Sequence, residues 1–525
     1  MQAGLGSGEQ SKGYLQVISG ALKELRETMR AFVRAPRALW GINIPYILEG
    51  LAYFGILTIL GKFCSENVAL SDPQAGWVYG GVTGGITFAM LLLGGVVDRI
   101  GVRKSLILAL SVMAIGRLIV SLSGTLPLGR GMGSPMFFTM VAGLLLMVAA
   151  YGLYQPAAYA GVRRYTDEKT AAMGYAVLYA LMNLGAFLSG YVANFSRTTF
   201  LSVFPPNGLT AVFWAFTTIT LISVLATVFI LTPRIDARAV AEKQGEKQNK
   251  TETKEKPEAS RIDNRLLKLL SGATIILFIF TLFFFYKGAS PILRYSFLGL
   301  TLLSLAAAIT DFLRRRPEHP FRDARFMAFI FVLIPVQTLF AHNWLTIPYY
   351  LDRAFQGTWV GRYWEIFANI NPVIIFVITP IIAGLTAHAN VYRMMILGTF
   401  VMAAPTFLLA AGPVPILFLA YILIMSIGEA MWQPRFLQWV AEIAPQGKTG
   451  AYMGIGQFPW FLTKVLTSLY SGYFVARYIP PPSSGLPQQT GKLWLFYGFI
   501  AMISPLVLWL MKGWMTKGLR EKSED

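Results

Sequence analysis

Hydrophobic positions in this chain fall into long blocks separated by short polar stretches. After a polar start, MQAGLGSGEQSKGY, residues 14–35 place Leu15, Ile18, Leu22, Leu25, Met29 and Phe32 at helical spacing. Lys23, Arg26, Arg30 and Arg34 fill much of the remaining surface. That pattern predicts an amphipathic helix, lying on an anionic membrane surface or packed on the protein's own cytosolic loops. Apolar runs then follow at 38–62, 75–97, 104–124, 135–157, 170–195 and 209–233. Two more lie at 265–286 and 291–313, and six at 324–345, 367–387, 391–411, 414–438, 449–474 and 492–514. Most reach the roughly 20 residues that a helix needs to cross a hydrocarbon core of about 30 Å.

The order is therefore six spans, two spans and six spans, and the fold class is an all-α membrane protein with 14 transmembrane helices. The interruption AEKQGEKQNKTETKEKPEAS mixes Lys and Glu, lacks large apolar residues and reads as a polar linker. Predicted units are a cytosolic amphipathic segment 1–37, a six-helix bundle 38–233, a charged linker 234–263, two inserted helices 264–316, a second six-helix bundle 317–514 and a tail 515–525. Basic clusters (Arg99/Arg103/Lys104, Arg163/Arg164/Lys169, the linker, Arg314–Arg316 and Lys512–Lys522) fall on one side of this plan. The opposite loops, such as FCSENVALSDPQ and SVFPPNG, carry less positive charge. By the positive-inside bias both termini are cytosolic. Two six-helix halves around a midplane site are a transporter plan.

Composition agrees. Of 525 residues, 55% are hydrophobic and 14% charged, and mean hydropathy is +0.54. The net charge of +19 is assigned to positive cytosolic loops and not to nucleic acid. The first apolar run follows a basic segment, so no cleavable signal peptide is expected. A single cysteine, Cys64, and three scattered histidines, His319, His342 and His388, offer no metal motif. No phosphate loop and no catalytic-triad spacing is present, so neither an enzyme nor a cofactor is expected.

Candidate chemistry lies in polar residues inside the spans. Glu49 sits mid-span in YILEGLAYFG. A charge at that depth costs about 2.5–3.5 kcal/mol on insertion scales, so such residues mark function by default. Glu49 shares a face with Tyr46 and Tyr53. Glu429 shares one with Trp432 and Gln433, and Lys464 one with Gln457 and Trp460. Gln155, Asn183, Gln337, His342 and Asn371 complete the set. Asn183 and Asn371 also suit interhelical hydrogen bonds, and His342 suits a structural role. Arg117, in the third span, is expected to snorkel towards the outer surface.

The loop GGVVDRIGVRKSL, residues 94–106, places Gly94, Asp98, Arg99, Gly101, Arg103 and Lys104 between two spans. Glycine permits the tight turn, and Asp98 suits a helix N-terminus. The loop resembles the G-x-x-x-D-R-x-G-x-R-K loop of the major facilitator superfamily. The resemblance implies two six-helix halves, here with two inserted helices, and a cytosolic latch made by Gly94, Asp98, Arg99 and Arg103. It also implies a central cavity lined by the spans that carry Glu49, Gln155, Asn183, Gln337, Glu429 and Lys464.

Within that superfamily the chain resembles the proton-coupled oligopeptide transporters. Residues 46–55 are similar to their E-x-x-E-R-F-x-Y-Y-G signature and keep Glu49, Tyr53 and Gly55. YGLYQPAAYAGVRR (151–164), AVLYALMNLGAFLSG (176–190), QTLFAHNW (337–344), FANINPVIIFVITPIIA (367–383) and GEAMWQP…APQGKTGAYMG (428–454) resemble further segments in order. The departures are Tyr46 for a glutamate, Gly50 for the arginine, Gln155 for a lysine and Phe331 near a seventh-span glutamate. The implied function is a secondary transporter working by alternating access on a small organic solute that is a peptide, peptide-like or amphipathic, with protons as coupling ion. Tyr46, Glu49, Tyr53, Gln155, Asn183, Gln337, Glu429, Trp432, Trp460 and Lys464 would form the substrate and proton site. Glu49, without its arginine, is expected to lie in a wet cavity among tyrosines and to exchange a proton or bind a cation. Lys464 and Glu429 are expected to approach one another. The alternatives are an exporter of drugs or lipids and a non-transporting receptor or scaffold. The expected setting is a monomer in a lipid bilayer, the bacterial inner membrane.

Overall fold

The computed structural model describes residues 37–166, 171–239, 265–286, 290–317, 319–386, 389–444 and 449–524. The amphipathic segment 14–35, most of the linker, and His388 lie outside the described residues. The described chain is helical. In the first half, helices are α1 (Arg37–Lys62), α2 (Asp72–Ile100), α3 (Val102–Thr125), α4 (Pro135–Tyr165), α5 (Ala171–Thr199) and α6 (Leu209–Ile230). Then come the pair α7 (Arg265–Tyr286) and α8 (Pro291–Arg314).

The second half is more broken, and proline is the reason. It contains α9 (Ala324–Val332), α10 (Ile334–Leu345), three short helices α11 (Ile347–Ala354), α12 (Trp359–Arg362) and α13 (Trp364–Ala368), then α14 (Asn371–Leu385) and α15 (Val391–Ala403). It ends with α16 (Pro415–Ile443), α17 (Thr449–Gly456), α18 (Phe458–Tyr478) and α19 (Thr490–Glu524). Pro335 and Pro459 stand just inside α10 and α18, and Pro405 opens a tighter turn of helix at Ala404–Ala411. Each lacks the N–H that would continue the preceding helix. The predicted spans 324–345, 391–411 and 449–474 are therefore interrupted rods. Gln457 falls at one such break, off the regular helix, so it does not share a helical face with Trp460 and Lys464 as predicted.

Among the described residues, eleven helices are long and apolar enough to cross a membrane. The predicted fourteen would also need α2, α7 and α18, which fall outside that set. Two local signals set the α2 ends. Ser71 and Gln74 form a reciprocal cap at its start. At its end Gly101 makes the whole turn into α3 with φ +85°, a conformation that costs glycine little.

In the first half α1 packs on α5 and α6, α4 on α2 and α3, and α3 on α6. In the second half α10 packs on α18 and α19, and α16 on α14 and α15. The halves meet where α2 lies on α18, where α5 lies on α13 and α14, and where α1 meets α10. Helices α7 and α8 pair through Thr274–Ser304 at 2.9 Å and Thr281–Thr301 at 3.0 Å. Their outer faces expose Ile275, Ile276, Ile279, Leu302 and Leu303, as a lipid-facing hairpin would.

Candidate functional site

Glu49 is not solvated by a wet cavity. It is buried, and Arg117 from α3 reaches it with both guanidinium nitrogens. One bond, Nη1 to Oε2, is 2.9 Å. Tyr151 of α4 also donates to Glu49, and Arg117 donates to Tyr151 (2.8 Å) and to Thr220 of α6. Two expectations are corrected here. Arg117 does not snorkel, because a long side chain pointing inward finds a carboxylate and two hydroxyls. Glu49 does not lack a counter-ion; its arginine comes from another helix. Equal and opposite charges in the middle of two apolar spans were the available signal.

Beside this pair, Tyr46 donates to Gln155 at 3.2 Å and stacks on Tyr154. Tyr53 lies edge-on to Tyr151, ring centres 4.8 Å apart. A small cavity with room for about one water is lined by Tyr46, Glu49, Tyr53, Tyr151, Tyr154 and Gln155. The buried Tyr154 hydroxyl has no hydrogen-bond partner among the described residues. The structure thus gathers Tyr46, Glu49, Tyr53 and Gln155 as the sequence suggested, and adds Tyr151 and Tyr154. Asn183 stands apart: its amide donates to Tyr179 O of its own helix, 2.9 Å away, and not to a neighbouring helix.

The second half supplies a different chemistry. Buried Glu429 on α16 accepts from Asn371 of α14 at 3.0 Å and from Gln433 at 2.7 Å. Asn371 also donates to Ser426, as an interhelical bond should. No cation pairs with Glu429 among the described residues. Lys464 on α18 likewise has no ion pair or hydrogen bond among the described residues, so the expected Lys464–Glu429 pair is not formed here. Its neighbours on α18 place it. Thr463 donates to Gln337 of α10 (3.1 Å), Trp460 lies edge-on to Phe340 of α10, and Ser468 lies under Gly80 of α2. On α18 Lys464 falls between Trp460, which meets α10, and Ser468, which meets α2. Trp432 is fully buried, its indole donates to Met402 Sδ at 3.1 Å, and its ring stacks on Trp460. The close approach of α15 and α16 at Gly398 draws it inward, since a Cβ on Gly398 would lie 2.8 Å from Trp432 Cβ. His342 contacts Thr346 and Tyr470 and stacks on Tyr497, contacts that suit a structural role.

A third group was not foreseen from sequence. At the end of the bundle away from the α2–α3 turn, three sets of charges bridge the halves. Lys62 pairs with Glu66 and, at 2.5 Å, with Asp352. Arg353 grips Asp72 with two bonds of 2.7 and 3.0 Å. Arg197 pairs with Glu365, which also accepts from Asn194 at 3.1 Å. The backbones close here too. A Cβ on Gly190 would lie 2.6 Å from Glu365 O, and one on Gly76 would lie 2.9 Å from Ser468 O. These residues sit at helix ends and in loops that sequence reading treated only as weakly charged.

Comparison with known proteins now bears on this arrangement. The model of the family described as Major Facilitator Superfamily matches residues 44–351, more than half of the chain. The chain belongs to the Major Facilitator Superfamily. It is therefore a membrane transporter and not an enzyme. It is 22% identical over 539 residues to dipeptide and tripeptide permease B of Yersinia enterocolitica, covering 95% of this chain and 99% of that one. In fold it is similar to a peptide transporter POT solved in complex with sulfate (TM-score 0.65, 15% identity, 92% of this chain and 96% of that one). It is also similar to a tetrameric PepTSo2 (TM-score 0.64, 16% identity, 92% and 99%) and to a POT family transporter in complex with 5-aminolevulinic acid (TM-score 0.62, 17% identity, 92% and 97%).

The superfamily's loop signature sits at the α2–α3 turn. Gly94 and Asp98 have side-chain positions outside the described residues, and Arg99 is exposed. Arg103 Nε donates to Leu231 O at 2.6 Å, a cation on the C-terminal end of α6. That bond ties two helices of one half together and does not cross to the other half.

Proposed function

We propose that this major facilitator transporter moves a small zwitterionic or anionic solute, of the size of a short peptide, by proton-coupled alternating access. The observation that carries the reading is Lys464: an ammonium inside the membrane, on a helix at the junction of the halves, with no partner among the described residues. A charge so placed needs an anion or water, and a solute carboxylate supplies the anion. Tyr46, Tyr53, Tyr151 and Tyr154 present phenol rings from the other half, suited to an apolar or aromatic body. Glu429 has hydrogen-bond donors but no cation, so it is the carboxylate that a proton or a solute ammonium would neutralise. The printed names of the relatives, a dipeptide and tripeptide permease and a transporter bound to 5-aminolevulinic acid, support the same substrate class.

With both termini cytosolic, the three inter-half ion pairs lie on the outer side, and the conformation described is closed outward. Opening that side would require Lys62–Asp352, Arg353–Asp72 and Arg197–Glu365 to separate. The setting is the bacterial inner membrane, and the working unit is a monomer. The test is uptake of dialanine, trialanine and 5-aminolevulinic acid into proteoliposomes, with and without an inside-alkaline gradient. Saturable uptake that the gradient stimulates is the expected result. Absence of both uptake and counterflow for all three, with the protein folded, would overturn it.

A further inference from the structure

The sequence replaces the arginine of the resembled signature by Gly50, and the structure places a close helix crossing there. Helices α1 and α5 cross at Gly50 and Gly185. A Cβ on Gly50 would lie 3.3 Å from Met182 Cα and O, and one on Gly185 would lie 2.6 Å from Ile47 O and 2.7 Å from Leu51 N. A side chain added at either position has to displace its neighbours. The positive charge has instead moved to Arg117, which approaches Glu49 from α3, the other side of the bundle.

We infer that Glu49 and Arg117 form a fixed ion pair that pins α1, α3, α4 and α6 into one body and takes no part in proton movement. Every group around Glu49 fits this. α3 brings Arg117, α4 brings Tyr151 and Tyr154, and α6 brings Thr220 through Arg117. α1 itself carries Tyr46 and Tyr53, and α5 contributes only Met182 and Gly185 at this level. On α2, Tyr79 lies near Tyr53, and on α10, Trp344 stacks on Phe54. Arg117 is the one cation in that set, and its planar fork is matched to a carboxylate. Glu49 is thus a positioning residue: it holds Tyr151, and through it the phenol wall of the cavity, in place. The proton-exchanging and anion-recognising groups are left to the second half.

The test is a double-mutant cycle on the purified full-length chain, read by thermal unfolding and by infrared spectroscopy. Glu49→Gln and Arg117→Gln should each lower the melting temperature by several degrees, because each leaves the other charge buried and unpaired. The combined E49Q/R117Q chain should regain most of that loss. On acidification, the infrared band of newly protonated carboxyl groups should be the same in E49Q/R117Q as in the parent chain. Additive losses in the single variants, or a carboxyl band missing from the double variant, would overturn the inference. Both readouts are independent of any solute, so a failed uptake assay and a failed pair are separate results.

Discussion

Lys464 and Glu429 make opposite demands on their surroundings. Lys464 has no partner among the described residues to lose, so Lys464→Ala should leave the melting temperature unchanged or raise it, the insertion cost of a mid-membrane charge being about 2.5–3.5 kcal/mol. Stabilisation of the protein by dialanine should vanish in the same variant, and a thermal-shift titration reads both effects. A melting temperature that falls by several degrees would mean that the lysine is paired after all. Glu429→Gln removes the charge and retains an acceptor for Asn371. Counterflow at equal pH should persist, whereas stimulation by an inside-alkaline gradient should be lost. Gradient-driven accumulation equal to that of the parent chain would remove Glu429 from the proton path. At this scale the sequence marked the right residue types, because an ionisable group is conspicuous in an apolar run. It misjudged Arg117, whose direction depends on which neighbouring helix lies closest.

Between elements, small residues set the closest approaches. Gly472 of α18 faces the backbone at Asp72 and Pro73 of α2, and Gly76 faces Ser468. Leucine at position 472 would force α2 and α18 apart at the outer end. Overpacking of this kind costs typically about 1–3 kcal/mol, here charged to the outward-closed state alone. Gly472→Leu should therefore raise labelling of a cysteine introduced on the outer half of α18 while leaving the protein folded. Unchanged labelling would show that the helices separate little there. The proline breaks in α9–α10 and α17–α18 were visible in the sequence as Pro335 and Pro459, but their rank as boundaries rather than kinks was not. That choice depends on whether neighbouring helices supply partners for the freed backbone.

For the whole molecule, the proposed cycle makes the balance between outward-closed and outward-open forms rest on charges contributed by both halves. Removing one member of a buried pair costs about 3–5 kcal/mol in the state that buries it. Asp72→Asn should shift the population towards outward-open, seen as a longer distance between spin labels placed at the outer ends of α2 and α18. Exchanging the charges, with Asp72→Arg and Arg353→Asp together, should restore much of the shorter distance. A distance distribution that neither variant alters would show that backbone packing alone closes the outer side.

Hydrophobic block length is a local quantity, and it alone indicates that this chain is a helical membrane protein. The loop at 94–106 is local too, and its spacing sufficed to indicate the superfamily. Pairing is not local. The partner of Glu49 lies 68 residues away on α3, and the partner of Asp72 lies 281 residues away on α11. Hydrophobic periodicity says that a charge is buried but not what meets it, because that depends on which glycines let which helices approach. Only the packed bundle decides that Arg117 turns inward, that Lys464 has no partner among the described residues, and that the end away from the α2–α3 turn is closed by charges from both halves.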